Sequence, residues 1–427
     1  MAGHIPQHIA TTGGPEHVTA YAWLVFALSF GLLISDYMAR QVLNAVFPLL
    51  KAEWSLSDAQ LGLLSGVVAI MVGVLTFPLS LAADRWGRVR SLTLMAILWS
   101  LATLLCAVAE SFETMLIGRA LVGIGEAAYG SVGIAVVISV FPARLRATLT
   151  AAFMAGGLFG QVLGVALGGG IAASHGWRAA FAAIGIAGLI MGVLYPIIVR
   201  ERRIRALAGG ASVDNAFAAK VPLRELVGNR SVRLAYLGSG LQLFAAGALP
   251  AWLPSYFNRY YNLPVDRAGT LAAVLLLLCG TGMILCGMVS DRISRERPER
   301  KIALAISYTL GTALCLTLAM ALPPGPMQLV LLGGAMLLVA GTVGPVGAMV
   351  ANLTPLAIHG SAFATLTLAN NLIGLAPGPI LTGRMADAIG LAEAFRLLPV
   401  PCLLAALTYA MMRRSYLGDL AAQRAST

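Results

Sequence analysis

The stretch SLAADRWGR at residues 80–88 recurs as GMVSDRISR at residues 287–295. Two further pairs repeat in the same order: GQVLG (160–164) with GLAPG (374–378), and GWRAAF (176–181) with GLAEAF (390–395). Related motifs in one order in both parts of a chain indicate an internal duplication. Membrane proteins built from two such repeats typically bind their substrate between them, near the middle of the bilayer.

The composition is that of a polytopic membrane protein. Of the 427 residues 59% are hydrophobic and only 11% are charged, and the mean hydropathy is +0.84. A soluble domain carries roughly a quarter charged residues. The net charge of +11 does not predict a nucleic-acid partner, because the basic residues cluster in short turns between apolar segments.

Cutting the chain at its polar turns leaves twelve segments long enough to cross about 30 Å of hydrocarbon. They are predicted at 20–50, 59–83, 90–110, 114–141, 147–173, 178–199, 231–257, 267–290, 301–321, 327–353, 359–385 and 392–412. The predicted fold class is therefore all-α, with twelve transmembrane helices in two pseudo-symmetric six-helix bundles. The predicted parts are a disordered tail (1–19), a first bundle (20–199), a linker with one surface amphipathic helix (200–230), a second bundle (231–412) and a tail (413–427).

The basic residues also predict an orientation. Of 29 Lys and Arg residues, 21 fall on the side of the termini and linker, five on the other side, and three within or at the edge of spans. The positive-inside rule then puts both termini in the cytoplasm. Residues 1–19 lack the basic start of a signal peptide. We expect an integral protein of a bacterial inner membrane.

The loop after the second span carries a candidate cytoplasmic gate. Its residues are Asp84, Arg85, Gly87 and Arg88, with Asp291 and Arg292 in the second copy. A carboxylate and a guanidinium at a helix end can hold a neighbouring helix in one conformation and release it in another. A charge cluster that only sets topology is the alternative. The loop resembles the G-x-x-x-D-R-x-G-R-[KR] signature of the major facilitator superfamily, with Ser80 and Val89 as departures.

The fourth span contains Arg119 and, seven residues later, Glu126. Residues seven apart share a helix face, about 10 Å apart along the axis. Ionisable groups inside a membrane are costly and face a partner or a watery cavity. The alternatives are therefore a helix-locking ion pair or two groups of a transport site. The pattern R-x-x-x-G-x-G at 119–125 resembles the fourth span of the same superfamily.

A closer resemblance is to the spinster-like branch of that superfamily. It rests on FPLLKAEWSLSDAQLGLLSG (47–66), RALVGIGEAAYGSVG (119–133) and HGWRAAF (175–181). The resemblance implies transport of amphiphilic lipids such as sphingolipids or lysophospholipids. Related organic-anion symporters also place a Glu at position 126, usually followed by a Pro that is Ala127 here.

The first span holds Asp36 and Arg40, four residues apart. Spinster-like and organic-anion carriers commonly read N-Y-x-D-R here, whereas this chain has Ala39 before Arg40. Residues at i and i+4 share a helix face, so we predict that the two charges neutralise each other. Arg40 is assigned to the cavity, and Glu126 is predicted to be the principal proton carrier.

The predicted proton-coupling set is Glu126, Asp36, Arg119 and Arg40. The predicted substrate-binding residues are the two arginines together with Phe30, Tyr129, Gln161, Gln242, Phe244, Trp252, Asn352, Asn370 and Asn371. Each polar residue alone is better explained by an interhelical hydrogen bond than by a contact with substrate. Glycines 156, 160, 164 and 168 in the fifth span resemble an antiporter motif, but Val165 replaces its Pro, so helix packing is the preferred interpretation.

We therefore predict a proton-coupled secondary transporter of an amphiphilic, lipid-like substrate, working by alternating access. A proton-linked carrier of small organic anions, a drug/proton antiporter, and a lipid receptor or scramblase without proton coupling are the alternatives. No enzyme motif, metal site or cofactor is predicted, and the five cysteines lie in apolar segments without metal-binding spacing. The expected partners are substrate, protons and membrane lipids, and the expected state is a monomer.

Overall fold

A computed structural model describes residues 18–207, 228–355 and 358–425. Its helices are α1 (Ala20–Trp54), α2 (Asp58–Trp86), α3 (Arg88–Ala107), α4 (Phe112–Glu126), α5 (Tyr129–Ser139), α6 (Arg146–His175), α7 (Trp177–Ile198), α8 (Glu201–Leu207), α9 (Arg230–Tyr260), α10 (Val265–Ile293), α11 (Arg300–Ala321), α12 (Pro326–Val339), α13 (Val343–Leu353), α14 (His359–Ala369), α15 (Pro377–Ile389), α16 (Leu391–Leu397), α17 (Pro399–Arg413) and α18 (Tyr416–Ala425). The predicted all-α fold is confirmed.

Within these residues, eleven helical stretches are long and apolar enough to cross a membrane. They coincide with eleven of the twelve predicted spans to within a few residues. The predicted span 359–385 is present as α14, a π-helical segment (Asn370–Leu375) and α15 in succession. The hydrogen-bond pattern changes in the middle of this span. Each of the three pieces is therefore too short to cross a membrane by itself.

The glycine stripe of α6 packs against α1, as its spacing predicts. A side chain at Gly160 would overlap the Ile34 carbonyl, and one at Gly164 would overlap the backbone of Met38. In the second half, Gly374 and Gly378 lie against the backbone of α9 in the same way. The repeated glycines therefore serve one purpose in both halves, which is to let the fifth helix of a half approach the first closely.

The duplication also extends to backbone conformation. Gly176 and Gly390 join the fifth and sixth spans of their halves with φ of 83° and 87°, a region that favours glycine. The gate motif, by contrast, has a different backbone conformation in the two halves. Gly87 has φ of 98°, whereas Ser294 in the second copy has φ of −95°, where a side chain is tolerated.

The two halves contact each other most extensively along two pairs of helices. α2 lies on α15, where Gly62 faces the Pro379 carbonyl, and α6 lies on α10, where Gly169 faces Gly269. Residues 1–17 of the predicted tail and most of the predicted linker lie outside the described residues. At the linker's start, α8 is a short helix, and α18 lies within the predicted C-terminal tail.

Candidate transport site

Asp36 is buried on α1 with 6% of its surface exposed, and its Oδ1 atom has no hydrogen-bond partner. Among the described side chains no ion pair joins it to Arg40, so the predicted self-neutralised pair is wrong. The i, i+4 spacing permits contact, but the neighbouring helices decide where a long arginine side chain lies. Arg40 is half-buried and interacts electrostatically with both Asp36 and Glu126.

Glu126 is the last residue of α4, where the fourth span changes helical segment. It is 7% exposed, and its Oε1 atom is buried without a hydrogen-bond partner. It interacts electrostatically with Asp36, Arg40 and Arg119. Two carboxylates and a guanidinium from two helices therefore share one buried region without a formed ion pair, a costly arrangement in a membrane.

Arg119 has a different environment from the one predicted. It is 1% exposed, and its guanidinium donates to the carbonyls of Ala39, Arg40 and Leu64 at 2.8, 2.9 and 3.3 Å. The predicted alternative of an ion pair with Glu126 is not formed. Because these three hydrogen bonds go to backbone oxygens of α1 and α2, Arg119 ties three spans together in this conformation.

Several other predicted contacts of the first half are engaged within the protein. Tyr129 is fully buried, donates to the Ser29 carbonyl at 2.8 Å and packs edge-on against Trp99. Phe30 lies against Gly156 in the α1–α6 interface. Gln161 is half-buried and accepts from Gln41 at 3.5 Å.

Gln161 belongs to a polar chain that sequence reasoning missed. Gln41 accepts from the Asn44 amide at 2.6 Å, and Asn44 in turn accepts from the Ser65 hydroxyl at 3.1 Å. The chain links α6, α1 and α2. Its signal in the sequence was the spacing of Gln41 and Asn44, at one and two helical turns after Tyr37, inside an apolar span.

The candidates of the second half are dispersed. Gln242 is fully buried and donates to Thr312 and to the Val339 carbonyl. Asn371 is buried in the π-helical segment beside Gly73 of α2, with its Oδ1 unpartnered. The rest have varied surroundings: Phe244 is buried, Asn370 is half-buried, and Asn352 is exposed.

Trp252 belongs to a seal between the halves. It is fully buried, its ring lies 5.1 Å from that of Phe47, and its indole donates to the Pro379 carbonyl at 3.1 Å. Near this seal, Asp58 at the start of α2 accepts from Arg259 of α9 through both carboxylate oxygens, at 2.6 and 2.7 Å. Lys51 donates to the same carboxylate at 2.6 Å.

A second carboxylate crosses between the halves at the same place. Asp387 of α15 accepts from the backbone N–H groups of Asp58 and Ala59 at 2.7 and 2.8 Å. A carboxylate at a helix N-terminus satisfies free donors and interacts favourably with the helix dipole. We call Asp58, Arg259, Lys51 and Asp387 the interhalf lock. It lies on the membrane side opposite the start of α1, and its sequence signal was the rarity of charge on that side.

Of the predicted gate residues whose side chains are described, none forms an ion pair between the halves in this conformation. Arg85 and Arg292 are exposed and Arg88 is half-buried, while Asp291 lies 4.0 Å from Lys301 of its own half. The Asp84 side chain lies outside the described residues. Of the side chains that are described, those holding the halves together by charge lie at the opposite membrane side.

Two repeated six-helix halves, closed together at one side and enclosing unpaired carboxylates, define a secondary-transporter fold. Residues 29–376 match the Major Facilitator Superfamily model, and the chain belongs to that family. It is a transporter of the membrane and not an enzyme, and spinster-like proteins are among its relatives.

Individual relatives point in two directions. The chain is 24% identical to the hexuronate transporter of Bacillus subtilis, over 84% of this chain and 86% of the relative. It is 27% identical to a sphingosine-1-phosphate transporter of Danio rerio, over 68% of this chain and 61% of the relative. A crystal structure of a bacterial homologue of the human lysosomal transporter Spinster, inward-facing and occupied, superposes with a TM-score of 0.81 at 21% identity, covering 94% of this chain and 99% of that one.

Proposed function

We propose that this transporter is proton-coupled and moves an anionic amphiphile of the lysophospholipid or sphingolipid type by alternating access. The observation that carries the proposal is the pair of buried carboxylates, Asp36 and Glu126, near one half-buried Arg40. An ionised carboxylate without a partner is costly inside a membrane. Such a group is stable there when it is protonated or when a cation approaches it.

In the proposed mechanism Glu126 carries the proton and Arg40 binds the substrate's anionic headgroup. Arginine suits this role because its planar group binds carboxylate or phosphate oxygens in pairs. A headgroup that binds Arg40 withdraws the positive charge from Glu126 and Asp36, so substrate binding and proton binding are linked. Arg119 serves the mechanism as a fixed brace, because its donors are already bonded to α1 and α2.

The apolar part of the substrate would lie toward the second half. There the strongest polar candidate, Gln242, is held by Thr312 and the Val339 carbonyl, while Phe244 supplies an aromatic side chain. A site charged on one side and apolar on the other suits an amphiphile. The likeness to the sphingosine-1-phosphate transporter supports the same class of substrate.

A small hydroxylated organic acid is the second candidate. The chain from Gln161 through Gln41 and Asn44 to Ser65 favours it, because amides and hydroxyls can hydrogen-bond the hydroxyl groups of such an acid. The likeness to the hexuronate transporter points the same way. Substitution of Gln41 by Leu should then weaken binding of the acid and leave an amphiphile unaffected.

The remaining expectations complete the proposal. Both termini face the cytoplasm, on the evidence of the Lys and Arg distribution, and the protein works as a monomer. Asp84, Arg85, Gly87 and Arg88, with Asp291 and Arg292, form a gate that closes in the alternate conformation, when the interhalf lock opens. A reporter fused to each terminus would test the orientation.

Transport by purified protein in liposomes tests the proposal. With an imposed pH gradient, wild type should move a lysophospholipid together with protons, and Glu126→Gln should lose gradient-driven transport while retaining substrate exchange. Glu53→Gln is the matched control, because Glu53 pairs with Arg178 at 2.6 Å at the end of α1. Transport driven equally well in Glu126→Gln contradicts the proposal. Lipid movement in wild type without proton movement indicates a scramblase, and movement of organic acids alone indicates the second candidate.

A further inference from the structure

A groove of about 440 Å³ lies at the same side of the membrane as the linker, away from the transport site. Trp86 at the end of α2, Arg90 in the first turn of α3, and Glu201 and Arg202 of α8 line it. Both arginines are exposed, and the Trp86 side chain is 62% exposed. Among the described side chains neither arginine forms an ion pair.

The helix that supplies Arg202 is fixed in place by its neighbours. The Glu201 carboxylate accepts from the Val89 backbone N–H at 2.8 Å, and Ile204 is buried. The Arg203 guanidinium lies 5.4 Å from the ring of Tyr21 on α1. The Glu201 carboxylate is therefore directed at the start of α3. The two arginines that line the groove, Arg90 and Arg202, present positive charge toward it.

The groove is located at the level where the spans end. The apolar part of the second span ends at Ala83 and the third begins at Arg88, and tryptophan is enriched at such membrane boundaries. Farther along α3, toward the middle of the span, Leu94 and Leu101 lie on the same face as Arg90 and are 57% and 50% exposed. A charged groove at the boundary thus continues into an apolar surface that faces lipid chains.

We propose that this groove binds the headgroup of an anionic phospholipid, with the phosphate between Arg90 and Arg202 and the acyl chains along α3. Basic pockets at the ends of spans bind acidic headgroups, and arginine binds phosphate oxygens in pairs. The continuous apolar face below Arg90 favours a lipid over a free phosphate. The bound lipid connects α8 to the loop that carries the gate motif, so it tethers the linker to the first half.

Native mass spectrometry of the purified protein with phosphatidylglycerol, and with phosphatidylcholine as the neutral comparison, tests the proposal. Wild type should retain phosphatidylglycerol preferentially. Each of Arg90→Gln and Arg202→Gln should weaken retention by about fivefold, the effect of about 1 kcal/mol for each basic residue at the surface. Arg414→Gln, an exposed arginine near the C-terminus that does not line the groove, is the matched control.

The outcomes distinguish the possible ligands. Equal retention of both lipids, or retention unchanged in the double Arg90→Gln, Arg202→Gln variant, overturns the proposal. Competition by soluble glycerol phosphate at similar concentration would indicate a phosphate site without a lipid and would also overturn it. Arg40→Gln should retain the lipid like wild type, because the proposed headgroup site is separate from the transport site. Failure of the proposed transport function therefore leaves this result unaffected.

Discussion

The Asp58 carboxylate receives two hydrogen bonds from the Arg259 guanidinium, at 2.6 and 2.7 Å, across the boundary between the halves. Asp58 is 3% exposed, so water does not readily replace this contact. Hydrogen bonds to charged groups contribute about 1.5–3 kcal/mol. A difference of that size is enough to shift the population of two conformations by tenfold or more.

Arg259→Gln should therefore shift the protein toward the conformation that is open at the Asp58 side. The measurement is labelling of an Ala45→Cys variant by a membrane-impermeant maleimide, with the native cysteines replaced by alanine. Ala45 is buried beside α6 in this structure, so faster labelling reports opening. Arg178→Gln is the control, because its partner Glu53 belongs to the same half. Equal labelling in all three proteins would show that the ion pair does not hold this conformation.

Gly62→Ala should act on the same equilibrium by steric means. A methyl group at Gly62 would overlap the Pro379 carbonyl, which is backbone and cannot rotate away. Overpacking of this kind costs about 1–3 kcal/mol and penalises only the state in which α2 lies on α15. Gly170→Ala is the matched control, because nothing lies within 4 Å of a side chain there. Double electron–electron resonance between spin labels on the two halves measures this. The distribution of distances should broaden toward the alternate conformation in Gly62→Ala only.

Arg119→Leu should lower the stability of the whole first half. It removes three hydrogen bonds from the guanidinium to the carbonyls of Ala39, Arg40 and Leu64, and a hydrogen bond to a charged group contributes about 1.5–3 kcal/mol. Arg119→Lys should rescue little, because one ammonium group cannot match the planar donor geometry. Thermal unfolding in detergent measures both variants. A variant with wild-type Tm but no transport would assign Arg119 to coupling instead.

Asp36→Asn and Glu126→Gln should differ in their effect on coupling. Both changes remove a buried negative charge near Arg40 while preserving side-chain shape. If Glu126 is the principal carrier, Asp36→Asn should retain pH-driven transport within about tenfold of wild type, a difference of about 1.4 kcal/mol. Initial rates of pH-driven uptake by the two variants show which carboxylate is the principal proton carrier. The opposite order of effects would make Asp36 the carrier.

The predicted site shows where sequence reasoning reaches its limit. The sequence singled out Asp36, Arg40 and Glu126 as charges within the spans, and the three interact electrostatically in the structure. The contacts of the charged residues were not predicted. Asp36 and Arg40 form no ion pair, and Arg119 donates to three backbone carbonyls. Backbone oxygens are acceptors at every position, so no sequence pattern marks which of them a buried arginine will contact.

The interhalf lock illustrates the same limit at long range. Asp58 and Arg259 are 201 residues apart in the chain, and each alone is an ordinary charge at a helix end. The packing of α2 on α15, allowed by Gly62, together with that of α1 on α9, accompanies this contact between the halves. The polar chain through Gln41 and Asn44 likewise depended on the orientation of α1 toward α2 and α6.

The sequence by itself determined the spans, the two halves and the glycine contacts within each half. These follow from local properties: a run of apolar residues must be long enough to cross the bilayer, and a repeated glycine permits the same close helix approach in both copies. The tertiary structure decided the partners of the charged groups and the side on which the halves close. Such pairings depend on distances between helices far apart in the chain, and the energy of a buried charge depends on its neighbours in space.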